Sequence, residues 1–284
     1  MNAPSARRSA AWVENAAPTS RWPPLRFRQF WDHRELIWFF AVRDVKVRYK
    51  QAFLGLGWAV LQPLIGALTF TVLFNGLADV DVGDRSYFAF ALVGFSVWTY
   101  FSATLSAGTG SLLYNADLLT KVAFPRIVAP AATMLPSLID LAIGAVLAVV
   151  VGIASGDSLS PLGIVIGIPI GLPLLLVTVA GPVLFFSATV VRYRDMGVVV
   201  GFGLQLLLFA SPVAYPPELV PLPWRTLLYL NPVSGCLGLL RSALIGTDLP
   251  TAPQVLLSVI VAVAVLFAGL LHFRRTEREF ADII

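Results

Sequence analysis

Apolar residues in this chain fall in long runs that wrap every side of a helix, separated by short polar stretches. Crossing hydrocarbon as a helix takes about 20 such residues. Six runs meet that length approximately: 53–78, 87–107, 127–154, 161–191, 197–214 and 253–272. None carries the one-sided stripe of a helix packed on a soluble core. Short alternating strands of the kind that build a membrane barrel are missing. The pattern predicts an all-α polytopic membrane protein with six transmembrane helices, forming a single membrane domain over residues 26–284. Residues 1–25, rich in Ala, Ser, Pro and Arg, read as a disordered tail.

Two further elements follow from the same pattern. After Pro23 and Pro24, a helix over 27–45 gathers Phe27, Phe30, Trp31, Ile37, Trp38, Ala41, Val42 and Val45 on one stripe, with Arg28, Asp32, Glu35, Arg43 and Lys46 away from it. That predicts an amphipathic interfacial helix, although Leu36, Phe39 and Phe40 blur its polar side. Residues 227–245 look like a seventh span, but Asn231, Pro232, Gly235, Gly238 and Arg241 interrupt them. Six prolines also lie between Pro212 and Pro232, too many for a continuous helix. A re-entrant hairpin within an external region, 215–250, fits better, and should line or cap an opening, because non-helical backbone at membrane depth needs cover by protein or water.

Composition agrees: 57% of residues are hydrophobic and 13% charged, against roughly a quarter charged in soluble domains. Seventeen of the twenty Lys and Arg fall on one side when the amino terminus is placed inside; only Arg85, Arg225 and Arg241 fall outside. By the positive-inside rule both termini, including the tail over 273–284, are cytoplasmic. The basic charge is thus a topology signal and predicts no nucleic-acid partner. The single cysteine, Cys236, allows no intrachain disulfide and reads as an apolar filler. The first apolar run begins about fifty residues in, so no amino-terminal signal peptide is expected.

Few groups suggest chemistry. Asp79, Asp81 and Asp84 could hold a cation, but a short loop without a supporting domain reads as solvated, and no metal is expected. With only His33 and His272, neither a metal pair nor a catalytic triad is available, and no Gly-rich loop with Lys would cradle ATP. The chain is therefore expected to be no enzyme and to bind no cofactor itself. Asp140 is the one carboxylate inside a predicted span, a functional candidate at that depth. It either bonds helices together near a pore wall or couples transport to protons. Aromatics near span ends, among them Trp58, Trp98, Tyr100, Phe185 and Tyr215, form an interfacial belt or offer faces for sugar rings. The segment 111–126, with Leu112, Leu113, Leu118 and Leu119, suggests a short helix whose apolar side needs a partner.

Four stretches, in order, carry a resemblance: 43–63 (RDVKVRYKQAFLGLGWAVLQP), 115–126 (NADLLTKVAFPR), 191–196 (VRYRDM) and 211–246, with SPVAYP, LNP and LLRSALIG. They are similar to the permease subunit of bacterial type-2 ABC exporters of lipid-linked polysaccharides, such as O-antigen, capsule, teichoic-acid and galactan chains. The resemblance implies a homodimer in the inner membrane joined by two copies of a separate ATPase, which would bind ATP and Mg. By that analogy Asn115, Asp117, Leu118, Leu119 and Lys121 form the coupling helix seated on the ATPase, and Asn231 and Arg241 belong to external re-entrant helices near the exit. Asp140 resembles a carboxylate common at this place in the third span. Arg43, Lys46, Arg48 and Lys50 would attract a polyprenyl diphosphate among the membrane lipids, and Asp140, Trp98, Tyr100, Phe185 and Tyr215 are candidates to line the path. Competing readings are an ATP-independent secondary transporter or flippase, a type-2 ABC exporter of a lipid or drug, and a membrane glycosyltransferase.

Overall fold

The structure, a computed structural model, describes residues 33–50, 55, 57–121, 124–222 and 224–277; the backbone alone is described at 119–121. The expected tail over 1–25, the start of the interfacial helix and the last residues of the carboxy-terminal tail lie outside the described residues. The order is α1 (Arg34–Lys50), α2 (Gly57–Phe70) running into a π-helical stretch (Thr71–Leu77), α3 (Tyr87–Tyr114), α4 (Ala116–Lys121) and α5 (Val128–Ala132). Next come α6 (Ser137–Ala154), α7 (Pro161–Arg192), α8 (Met196–Ala210), α9 (Trp224–Leu228), α10 (Pro232–Ile245) and α11 (Ala252–Thr276). Among the described residues the fold is helical, with no strand. Five stretches among the described residues are long and apolar enough to cross a membrane: Gly57–Leu77, Tyr87–Tyr114, Val128–Ala154, Pro161–Arg192 and Ala252–Thr276.

Helix α3 is the centre of the bundle and packs against α2, α6, α7, α8 and α10. Its side chains from Ala89 to Val93 are almost wholly buried. Helix α7 carries Pro169, Pro173 and Pro182 inside a continuous helix, tolerated where neighbouring helices compensate for the lost backbone bonds. Its row Gly163, Gly167 and Gly171 faces α10. A Cβ added at Gly167 would stand 2.3 Å from the Leu239 carbonyl oxygen, so the two backbones touch, as small residues permit between membrane helices.

Three predicted spans differ in detail: the second runs on to Tyr114, past the expected end at 107, and takes in Leu112 and Leu113, and two others are broken or cut short. The third is broken at Thr133–Pro136, between α5 and α6. Pro136 has no N–H to continue the ladder, and i to i+3 bonds carry the chain through, such as Met134 N–H to the Ala131 carbonyl at 3.3 Å. The fifth ends at Ala210 rather than 214. Its 15 residues give a helix of about 22 Å, shorter than the roughly 30 Å of hydrocarbon. Ser211 turns its hydroxyl back to the Leu207 carbonyl at 2.7 Å, and Pro212 follows.

Helix α1 is apolar on two sides. Phe40 and Ala41 are buried, and Phe40 joins Leu36, Ile37, Phe124, Val128 and Ala132 in a small cluster, while Trp38 and Phe39 are each 65% exposed. Apolar side chains thus lie both on the face packed against the chain and on the exposed face, which is why a single stripe does not describe it.

Candidate functional site

At the basic end of the bundle, α1 is tied to the rest by its charged side chains. Asp140 sits in the first turn of α6, just past the break at Pro136. Its carboxylate meets the Arg48 guanidinium at 2.8 Å and accepts a hydrogen bond from the Tyr49 hydroxyl. Arg48 also donates to the Ser137 hydroxyl at 3.3 Å. Burial first, then the hydrogen bond to Asp140, pushes the Tyr49 phenol up to about 12, so it remains a donor at any ordinary pH. Arg48, Tyr49 and Asp140, with Gly55, Trp58, Ala59 and Gln62, border a cavity of about 340 Å3.

One turn back on α1, Arg43 spans two partners. It is paired with Asp44 at 2.7 Å and donates to the Asn115 side-chain carbonyl at 2.9 Å. Asn115 is itself buried and donates to the Ser111 carbonyl at 2.8 Å. It thus closes α3, opens α4 and holds α1 together. The side chains of Asp117 and Leu118 on α4 are exposed, while those of Leu119 and Lys121 lie outside the described residues.

Of the four basic residues expected to attract a diphosphate, Arg43 and Arg48 are held by carboxylates of the chain. Lys46 and Lys50 are exposed, and neither has an ion pair among the described residues.

The opposite end gathers the loops around 79–86, 155–160 and 211–231 with α9 and α10. Asn231 caps α10, its side-chain oxygen accepting from the Val233 N–H at 3.2 Å and its amide donating to the Ser211 hydroxyl at 2.7 Å. Arg241, 2% exposed, lies on α10 with its guanidinium 3.4 Å from the centroid of the Phe90 ring. It donates to the carbonyls of Pro212 at 2.7 Å and Val213 at 2.5 Å. A Cβ at Gly94 would fall 2.2 Å from that same Val213 oxygen, so glycine lets the loop lie on α3. Asp157 accepts from the Ser86 N–H at 3.1 Å, an anchor that the sequence pattern did not single out.

The aromatic candidates divide. Tyr100 is fully buried and donates to the Met134 carbonyl at 3.2 Å, and Trp98 is buried beside Phe101; both belong to the core of this chain. Phe185 is 38% exposed, with its ring 4.4 Å from His272, and Tyr215 is half-buried, donating to the Phe209 carbonyl at 3.3 Å.

This is the arrangement of a multi-pass helical membrane protein whose basic end is stitched to the start of a short helix after its central span. Residues 35–245 match the family ABC-2 type transporter, and the chain belongs to that family. It is similar over nearly its whole length to curated transport proteins. It is 28% identical over 259 residues to the O-antigen export system permease protein RfbA of Myxococcus xanthus, covering 90% of this chain and 98% of that protein. RfbA of Klebsiella pneumoniae is 24% identical over 242 residues, covering 85% and 92%. The polysialic acid transport protein KpsM of Escherichia coli is 23% identical over 237 residues, covering 83% and 91%.

Proposed function

We propose that this chain is the permease subunit of an ABC exporter that carries a polyprenyl-diphosphate-linked polysaccharide across the bacterial inner membrane. The observation that carries the reading is the end-to-end similarity to permeases named for O-antigen export and polysialic acid transport. Both termini are cytoplasmic and six segments span the bilayer, the fifth in order being α8 extended by the loop after Ala210. The permease acts as a homodimer. Two largely exposed stretches, α2 and the π-helical turn after it with Leu68 and Leu77, and α8 with Val198, Phe202 and Phe209 bare, supply the apolar surface that a second copy and lipid would cover. Two copies of a separate ATPase bind ATP and Mg.

The mechanism starts at the basic end. Lys46 and Lys50 draw the lipid diphosphate to the cytoplasmic surface of the bilayer, beside the cavity bordered by Arg48, Trp58 and Gln62. Closure of the ATPase pair pushes on α4, and because Asn115 ties α4 to both α3 and α1, that push reaches the central span and the interfacial helix together. The lipid end reorients and the glycan follows in successive strokes, with Phe185 and the half-buried Tyr215 the path candidates left outside the core for it. The re-entrant pair α9–α10 caps the outer opening. Gentle purification of the tagged chain from its native membrane tests this. A stoichiometric ATPase is expected to come with it, whereas the chain purifying alone under conditions that keep other membrane complexes whole points to an ATP-independent flippase.

A further inference from the structure

The three arginines that break the charge bias, Arg85, Arg225 and Arg241, all line one cavity of about 630 Å3 at the hairpin end. Each guanidinium is fixed by backbone carbonyls. Arg85 donates to Ser158 at 3.0 Å and Gly246 at 2.7 Å, and Arg225 to Val220 at 3.1 Å and Glu218 at 2.7 Å. Arg241 is held by Pro212 and Val213 as described. Carbonyls orient a guanidinium without cancelling its charge, and no carboxylate forms an ion pair with any of the three among the described residues.

The same cavity is lined by Asp81, Asp84, Glu218 and Asp248, all exposed. Asp81 accepts one bond, from the Gly83 N–H at 2.9 Å; the side chains of the other three accept none among the described residues. Three positive and four negative groups therefore share a half-enclosed space without pairing. A strongly anionic ligand would meet the carboxylates and a strongly cationic one the arginines. What suits both is a neutral molecule with many hydroxyls, each able to accept from a guanidinium and donate to a carboxylate. Val82, Leu219, Pro217 and Pro250 line the cavity between these groups and give its C–H faces apolar wall. The volume lies within the about 300–1,000 Å3 of small-molecule sites.

We propose that this cavity binds a short neutral saccharide segment on the outer side of the membrane, holding the emerging chain between strokes. The proposal rests on the polysaccharide-export reading for its orientation and cargo. Binding must be weak, on the order of millimolar, since a conducting site has to release what it binds.

Saturation-transfer NMR on the permease–ATPase complex in nanodiscs tests it, with maltotriose, mannotriose and galactotriose as neutral probes and trigalacturonate as the acidic one. At least one neutral trisaccharide is expected to give signal above trigalacturonate. Thr247→Trp, which fills the cavity, should abolish that signal. Asp84→Asn with Asp248→Asn, which keeps the shape but weakens two acceptors, should reduce affinity about threefold to tenfold. Trigalacturonate binding as well as or better than every neutral probe overturns the proposal. So does neutral binding that both variants leave unchanged. Surface glycan in a strain lacking the chain separates the two failures. If glycan disappears there but no neutral probe binds, the site is wrong and the export reading stands; if glycan is unaffected, the export reading itself fails.

Discussion

Asp140 and Arg241 show what a single charge does inside this bundle. The Asp140 side chain is 8% exposed beside Arg48, and removing it takes the ion-pair partner from that guanidinium and the acceptor from the Tyr49 hydroxyl. Asp140→Ala should cost about 2–3 kcal/mol, read as a lower melting midpoint in detergent, while Asp140→Asn, which keeps an acceptor for Tyr49, should lose less. Arg241→Ala bares the Phe90 ring and leaves two buried carbonyls unpaired, a loss of about 3 kcal/mol or more; Arg225→Ala, nearer the surface, should lose less than about 1 kcal/mol. The sequence marked Asp140 because a carboxylate in an apolar run is conspicuous. It did not reveal Arg48 and Tyr49 as partners, since those lie about ninety positions away in a segment whose basic character pointed to lipid instead. Arg241 was likewise legible as a misplaced cation, but its bed of carbonyls depends on how the loop at Pro212 folds back, which no local pattern encodes.

At the scale of elements, hydropathy finds runs but is blind to proline. Residues 127–154 read as one span because Pro130 and Pro136 sit in apolar company, yet Pro136 splits them into α5 and α6. The fifth run seemed to reach 214 because Pro212, Val213 and Ala214 are apolar, although they are no longer helical. Helix α1 escaped a one-stripe description because it faces protein on one side and bears exposed aromatics on another. These elements carry three expectations. Lys46→Glu with Lys50→Glu should cut export about tenfold or more with the melting midpoint unchanged; unaltered export would remove α1 from cargo capture. Asp117→Ala on α4 should leave assembly and ATP turnover in place while uncoupling them from export, measured as ATP consumed per glycan delivered. Gly167→Leu should prevent α10 from seating on α7 and abolish accumulation of folded protein, seen by size-exclusion chromatography.

For the whole molecule, the all-helical fold and the family were both readable from ordered motifs distributed over most of the chain, and the match over residues 35–245 agrees. Less legible was the division of labour between the two ends, because it arises from contacts between distant segments: α1 with Asn115, α5 and α6 at one end, and residues 79–86 with 211–231 and 246–254 at the other. The most direct measurement compares surface polysaccharide with lipid-linked polysaccharide retained at the cytoplasmic side, in cells lacking the chain and in cells with it restored. Loss of surface glycan with a matching rise in the retained pool, both reversed on restoration, is the predicted result. Normal surface glycan, with loss of efflux of a small hydrophobic compound instead, would contradict it and favour a lipid or drug exporter.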